Sequence, residues 1–144
     1  MIYFDASAAA KRYFLESGSD RVNELWNGVE YFSSLVILQC ELTSALNRRR
    51  RERALPRGAY SAIREQIQDD LAKVQMVPIN DRLIRLALRV LDTHPLKVLD
   101  SLYLAGALGL AQDLKEPVLF VSSDRQLLQA AQVEDLRTLN PELP

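Results

Sequence analysis

Cysteine and histidine occur once each in this chain of 144 residues, as Cys40 and His94. A single thiol excludes an internal disulfide, and none is needed, because a chain of this length can bury roughly 68–70% of its unfolded surface in one domain, here taken as 1–144. An unbridged cysteine inside an apolar run suits a reducing compartment, so the cytoplasm is the expected location and a buried structural role the expected role of Cys40. A single imidazole excludes mechanisms that divide acid and base work between two histidines. No apolar stretch approaches the ~18 residues needed to cross a bilayer, and Asp5 interrupts the opening run before a charged-then-apolar leader can form. Neither a membrane span nor an export signal is expected. Repeats and low-complexity tracts are absent. So is a strong excess of either charge: the formal net charge is -1, which carries no global signature of a nucleic-acid binder.

Charge is nevertheless unevenly placed. Arg48, Arg49, Arg50 and Arg51 are consecutive, with Arg53 and Arg57 close behind. Cations at the end of a helix complement its dipole, and the same cations can contact phosphate; the sequence leaves both readings open.

The pattern along the chain alternates strand and helix. Ile2-Tyr3-Phe4 is a short apolar run. Helical spacing follows from Ala6 through Phe14 and Leu15, breaks at Ser17-Gly18-Ser19 and resumes with Val22, Leu25 and Trp26. Tyr31-Phe32 predicts a brief strand, and Ser33 or Ser34 a cap for a long helix to about Ala54. After the Pro56-Arg57-Gly58 turn, Ile63, Ile67 and Leu71 predict an amphipathic helix from Ala59 to about Val74. Met76 to Ile79 predicts a strand, and Asn80 or Asp81 caps a helix ended by His94-Pro95, with His94 a partly exposed terminator. A strongly apolar helix from about Val98 to Leu114, a strand from Val118 to Val121, a helix from Asp124 to Ala131 and a strand from Leu136 to Leu139 complete the pattern. Such alternation over one domain length predicts an α/β fold, a mostly parallel sheet covered on both faces.

Four acids stand out against that frame. Asp5 and Asp124 close two predicted strands, and the carboxyl ends of parallel strands are where open α/β sheets bind ligands. Each is also a good helix N-cap, and Asp100 in the first turn of its helix is stabilised by the dipole without any further role. Glu41 is harder to explain structurally. It lies on the margin of the stripe formed by Leu35, Leu38, Leu42 and Ala45, where an ionised carboxylate is costly unless paired, hydrogen-bonded or bound to a cation. Lys11 and Lys97 are candidate partners. Four carboxylates gathered together repel unless protonated or bridged, which points to a divalent metal site.

The segments I-Y-F-D-A-S-A-A-A-K-R-Y, V-I-L-Q-C-E-L-T-S-A-L, L-K-V-L-D-S-L-Y-L-A-G-A-L and L-F-V-S-S-D-R-Q-L-L-Q-A-A, in that order, resemble PIN domains, especially VapC-type toxins of toxin-antitoxin pairs. The resemblance covers essentially the whole chain, and its specificity lies in the set of blocks. It implies a three-layer α/β/α sandwich in which Asp5, Glu41, Asp100 and Asp124 form the acidic site of a ribonuclease dependent on Mg2+ or Mn2+. Ser7 and Ser122 match hydroxyl positions that orient the acids, Ser122 standing where threonine is frequent. Lys11 matches a lysine common in the subgroup, either pairing with an acid or contacting phosphate. The resemblance further implies an RNA substrate, a homodimer, and a cognate antitoxin in an apolar groove near Val22 to Trp26 and Leu42 to Ile67. Arg48 to Arg51 are then candidate RNA contacts, whereas Trp26 and Tyr103 are expected to pack in the core. Transfer, ribosomal and messenger RNA present the same phosphates to such a site.

Three other readings meet this sequence. A haloacid-dehalogenase-like phosphatase wants a second aspartate two residues after the first, where Ser7 stands, and a receiver domain wants an acidic pair near the first strand, which is absent. A catalytically silent PIN-like module that binds protein or RNA would not need the full acid set.

Overall fold

Side chains alternate across each strand, and in this chain both faces of the alternation are apolar. Ile2 and Phe4 of β1 (Ile2–Phe4) enter one buried cluster and Tyr3 the other. Likewise Val121 and Phe120 of β4 (Leu119–Val121) point to opposite sides. A computed structural model describes residues 1–144. It contains five strands, adding β2 (Phe32–Leu35), β3 (Val74–Val77) and β5 (Arg137–Leu139), paired in the order β3-β2-β1-β4-β5. Every pairing is parallel.

Helices cover both faces. Beside Ile2, Phe4, Phe32 and Val121 lie α1 (Ala6–Ala9), the 3-10 turn Ala10–Arg12, α2 (Ser19–Asn27), α3 (Leu38–Arg51) and α4 (Ala59–Leu71). Beside Tyr3, Leu35 and Phe120 lie α5 (Asp81–Thr93), α6 (Val98–Leu114) and α7 (Arg125–Val133). This is the three-layer α/β/α sandwich that the sequence led us to expect. The chain steps outward from β1 through β2 to β3, then crosses to the other side of β1 for β4 and β5. The reversal leaves a crevice between the carboxyl ends of β1 and β4, the usual ligand position in such sheets.

Several boundaries differ from the sequence reading, for identifiable reasons. Ser33 and Ser34 are buried inside β2 and cap no helix: Ser33 Oγ donates to Gln75 O at 2.6 Å and Ser34 Oγ to Phe4 O at 2.7 Å. Their hydroxyls tie β2 to both neighbours, a use that short-range propensity does not reveal. The strand β3 starts earlier than Met76, because α4 stops at Leu71. After Arg12 the first helical segment ends, leaving Leu15 95% exposed. Cys40 is exposed, not buried. It sits two residues after Leu38 in a helix whose buried stripe is Leu38, Leu42 and Leu46, so it faces away from the core. His94 ends α5 as expected, but its ring is nearly covered, with Nε2 2.8 Å from Glu134 Oε1.

The resemblance implies an antitoxin groove between the segments near Val22 to Trp26 and Leu42 to Ile67, whose largest apolar side chains face inward. Val22, Trp26, Leu42 and Ile67 are buried together in the cluster on the α1 to α4 side. Half-buried Leu25, Ala45, Leu55, Tyr60 and Ile63 form its margin.

The seat of α6 on the sheet depends on Gly106. A Cβ there would lie 2.3 Å from Tyr3 Oη, a hydroxyl that is buried without a hydrogen-bond partner. Gly106→Ala is therefore expected to destabilise the protein by about 1–3 kcal/mol, despite the better helix propensity of alanine. Adding Tyr3→Phe removes the clashing oxygen and should recover part of the loss. Urea unfolding of both single variants and the double variant measures this coupling.

Candidate active site

The crevice is built on two turns that are joined by serines. Asp5 leaves β1 with extended backbone and caps α1, its Oδ1 accepting from Ala8 N at 2.9 Å. Ser7 Oγ donates to the same carboxylate at 2.8 Å, and Ser122 Oγ donates to its Oδ2 at 2.7 Å. From the other turn, Ser123 N donates to Ser7 Oγ and Asp124 N to Ser122 Oγ, both at 3.0 Å. Asp124 in turn caps α7 through Leu127 N. The capping and site readings of Asp5 and Asp124 are thus compatible: one oxygen holds a helix while the residue lines the crevice.

Glu41 and Asp100 enter from opposite layers. Both stand in the first turn of their helices, α3 and α6. Asp5, Glu41, Asp100 and Asp124 line a single cleft with Ser7, Lys97, Val98, Leu99 and Tyr103. Tyr103 is the residue whose place in the site the sequence concealed. It is buried, as expected of a core aromatic, but its hydroxyl donates to Glu41 Oε2. Its position three residues after Asp100 on one helix face was the available signal. Neither lysine proposed to neutralise Glu41 does so. Lys11 is buried and pairs with Glu142 at 2.7 Å and Glu16 at 3.9 Å. Lys97 lies at the cleft and favours the charged form of Asp100.

Electrostatics in the cleft are dominated by lost hydration and by like charge. Burial raises the Asp5 pKa to about 6, against the lowering effect of its hydrogen bonds from Ala8, Ser122 and Ser7; Asp100 adds a further upward push. Burial also raises Glu41, with Tyr103 opposing and Asp100 assisting. Asp100 is raised by burial and then by the charge of Asp124. No three Asp, Glu, His or Cys side chains of the chain converge into a ready-made ion cage. The donors lining the cleft are all oxygen, which suits a hard cation that keeps several of its waters and takes one or two carboxylates.

The arginine run does not line this cleft. Glu41 stands in the first turn of α3 and Arg48 follows seven residues on, about 10 Å along the axis. Arg49 lies 4.2 Å from the Phe14 ring centroid and Arg50 4.2 Å from that of Tyr60, while Arg48 and Arg51 are exposed.

Comparison with known proteins gives a consistent result. A family model described as PIN domain matches residues 2–133. Two Mycobacterium tuberculosis proteins, named Ribonuclease VapC45 and Ribonuclease VapC49, are each 27% identical over 144 residues, covering 99% of this chain and 97% of their own. Among solved structures, PAE2754 from Pyrobaculum aerophilum superposes with a TM-score of 0.64 at 20% identity, covering 98% of this chain and 90% of its own. The structure of FitAB bound to a DNA fragment gives a TM-score of 0.67 at 15% identity, covering 100% of this chain and 97% of that one.

The pKa of Asp5 has a consequence for stability. Its folded value lies above its unfolded value, so its contribution is fully present below the unfolded value near 3.8 and is lost as pH rises through about 6. With chelator present, urea unfolding should show stability falling across that window. Asp5→Asn keeps the helix cap and should flatten the fall, gaining roughly 1–3 kcal/mol at neutral pH relative to the parent.

Proposed function

The chain belongs to the PIN domain family, and from that premise we propose that it is a metal-dependent endoribonuclease acting as the toxin of a toxin-antitoxin pair. The observation that carries the reading is the meeting of Asp5, Glu41, Asp100 and Asp124, from four separate segments, in one cleft at the switch point of the sheet. Three of the four have their pKa raised. Ribonuclease is also the activity for which the relatives that align over nearly the full chain are named.

In this reading Asp5 and Asp100 would hold Mg2+ or Mn2+, with Asp124 and Glu41 completing the site directly or through water. Such an ion, when bound, offsets the carboxylate repulsion, lowers the pKa of water and stabilises charge developing on phosphate oxygens. The chain's own residues supply the positioning. Ser7 and Ser122 fix both Asp5 oxygens, and Tyr103 fixes Glu41. Lys97, beside Asp100, is placed to meet a substrate phosphate. Hydrolysis would leave 5'-phosphate and 3'-hydroxyl ends. Arg48 to Arg51 would contact the RNA backbone farther along α3, and an antitoxin would cover the half-buried margin around Leu25, Leu55 and Ile63. We further propose a homodimer in the cytoplasm.

A catalytically silent PIN module is the second reading, favoured by the lack of a preformed three-ligand cage. Metal titration against a panel of RNAs separates the two. The nuclease reading expects cleavage that chelator abolishes and that Asp5→Asn reduces to background; cleavage indifferent to both would reject it. Because Asp5 must be ionised to hold a cation, the metal concentration needed for half-maximal cleavage should rise as pH falls below about 6.

Tyr103→Phe removes the only donor to Glu41 among the hydrogen bonds of the cleft. It should lower cleavage by about 10–100-fold, the usual scale for partners that orient a ligand. Unchanged kinetics with either ion would dissociate Glu41 from the reaction.

A further inference from the structure

Beside the acidic cleft lies a group of cationic and hydroxyl side chains that the carboxylate site does not use. Lys11 is 4% exposed, and its Nζ donates to Glu142 Oε1 at 2.7 Å. Glu142 belongs to the segment after β5, and that segment is seated closely. A Cβ on Gly18, which has φ of +87°, would lie 2.9 Å from Pro141 C and O. Asn140 Oδ1 accepts from Glu142 N at 2.9 Å, so a small turn presents the glutamate toward the lysine. Arg125 lines a surface groove with Asn140 and Leu143, on either side of Glu142, and the Glu142 pKa is lowered, first by Lys11 and to a smaller degree by Arg125. Ser123 Oγ makes no hydrogen bond of satisfactory geometry although it is shut off from solvent, so its capacity to donate is spare.

These groups adjoin the proposed reaction site. Ser123 separates Ser122, which holds Asp5, from Asp124, and its backbone N–H donates to Ser7. A lysine, an arginine and an unused hydroxyl around one oxyanion, next to a phosphodiester-cleaving cleft, are a set of donors suited to phosphate. A carboxylate carries the same sign of charge and accepts the same hydrogen bonds. Glu142 remains substantially exposed, with 39% of its side chain accessible, whereas the lysine it covers is at 5%. The anion is therefore the removable member of the pair.

We propose that Lys11, Ser123 and Arg125 form a subsite for a backbone phosphate of the RNA substrate, and that Glu142 occupies it as a tethered mimic that RNA must displace. This rests on the ribonuclease reading for the identity of the ligand. It assigns Lys11 to phosphate and gives the 140–142 segment a competitive role. Single-stranded substrate engages the subsite only when Glu142 swings out, so the segment weakens RNA binding without touching the carboxylates.

The test uses the full chain with Asp5→Asn, so that RNA binds without being cut. Fluorescence anisotropy with a labelled single-stranded RNA gives Kd as a function of salt, and each additional phosphate contact steepens the logarithmic salt dependence by about 0.7 for single strands. Adding Glu142→Gln should tighten binding about fivefold or more and steepen the slope by about that amount. Adding Lys11→Met to Glu142→Gln should erase both gains. Glu65→Gln, which removes an exposed charge on α4, should give neither. Thermal melts check that each variant is folded, and a shift of Tm by inorganic phosphate in the Glu142→Gln protein alone is an independent readout.

Unchanged affinity and slope on Glu142→Gln would overturn the proposal, as would a gain that survives Lys11→Met or is matched by Glu65→Gln. Stabilisation by phosphate with no gain for RNA would overturn the RNA assignment. Cleavage by the Asp5-intact protein is measured separately, so failure of the nuclease reading shows as metal-independent or absent cleavage and failure of the subsite as an unaltered Kd.

Discussion

Negative charge held against its own repulsion is the constraint around which this molecule is arranged. Asp5 is almost wholly removed from water, and its neighbours across the cleft are acids. A carboxyl in that setting must be protonated, hydrogen-bonded or matched by a cation. The chain supplies the hydrogen bonds through Ser7, Ser122 and the Ala8 amide. It supplies no basic side chain within ion-pair distance of any of the four acids. The well-covered acids elsewhere are paired: Asp70 has Arg12, and Glu134 has Arg89 and His94. With Lys97 as the one cation lining it and no ion pair to any of its four acids, the cleft is a place where an outside positive charge is stabilised.

The parallel sheet makes such a cleft obtainable at modest cost. Because all strands run one way, every strand-to-helix turn emerges at one edge, and the reversal of order at β1 and β4 opens a gap there. Two of the acids also serve as helix caps. The capping bonds offset part of the penalty of burying them, which is how local stability and a charged site coexist in the same residues. Glu41 and Asp100 add the helix dipoles of α3 and α6, whose first turns favour negative charge.

Much of this was legible along the chain. The strand-helix alternation, the apolar faces and the placement of Asp5 and Asp124 after strands follow from periodicity and turn chemistry, and the structure matches them closely. The misreadings share a cause. Ser33 and Ser34 look like caps because their hydroxyls suit that role locally; in the fold they bond to Gln75 and Phe4 on adjacent strands. Cys40 sits in an apolar run, yet the helical repeat turns it away from the Leu38-Leu42-Leu46 stripe. Trp26 packs in the core as expected, in the same buried cluster as Ile67.

By itself the sequence determined the layers, the order of elements and which acids stand at the ends of strands and the starts of helices, because these depend on residues a few positions apart. Only the tertiary structure decided that the four acids line one cleft, that Tyr103 reaches Glu41, and that Lys11 meets Glu142 across 131 positions of chain. Periodicity tells a side chain which face of its own element it occupies. Which distant element lies opposite is settled by packing of the whole sheet and its helices, and charge follows wherever that packing brings it.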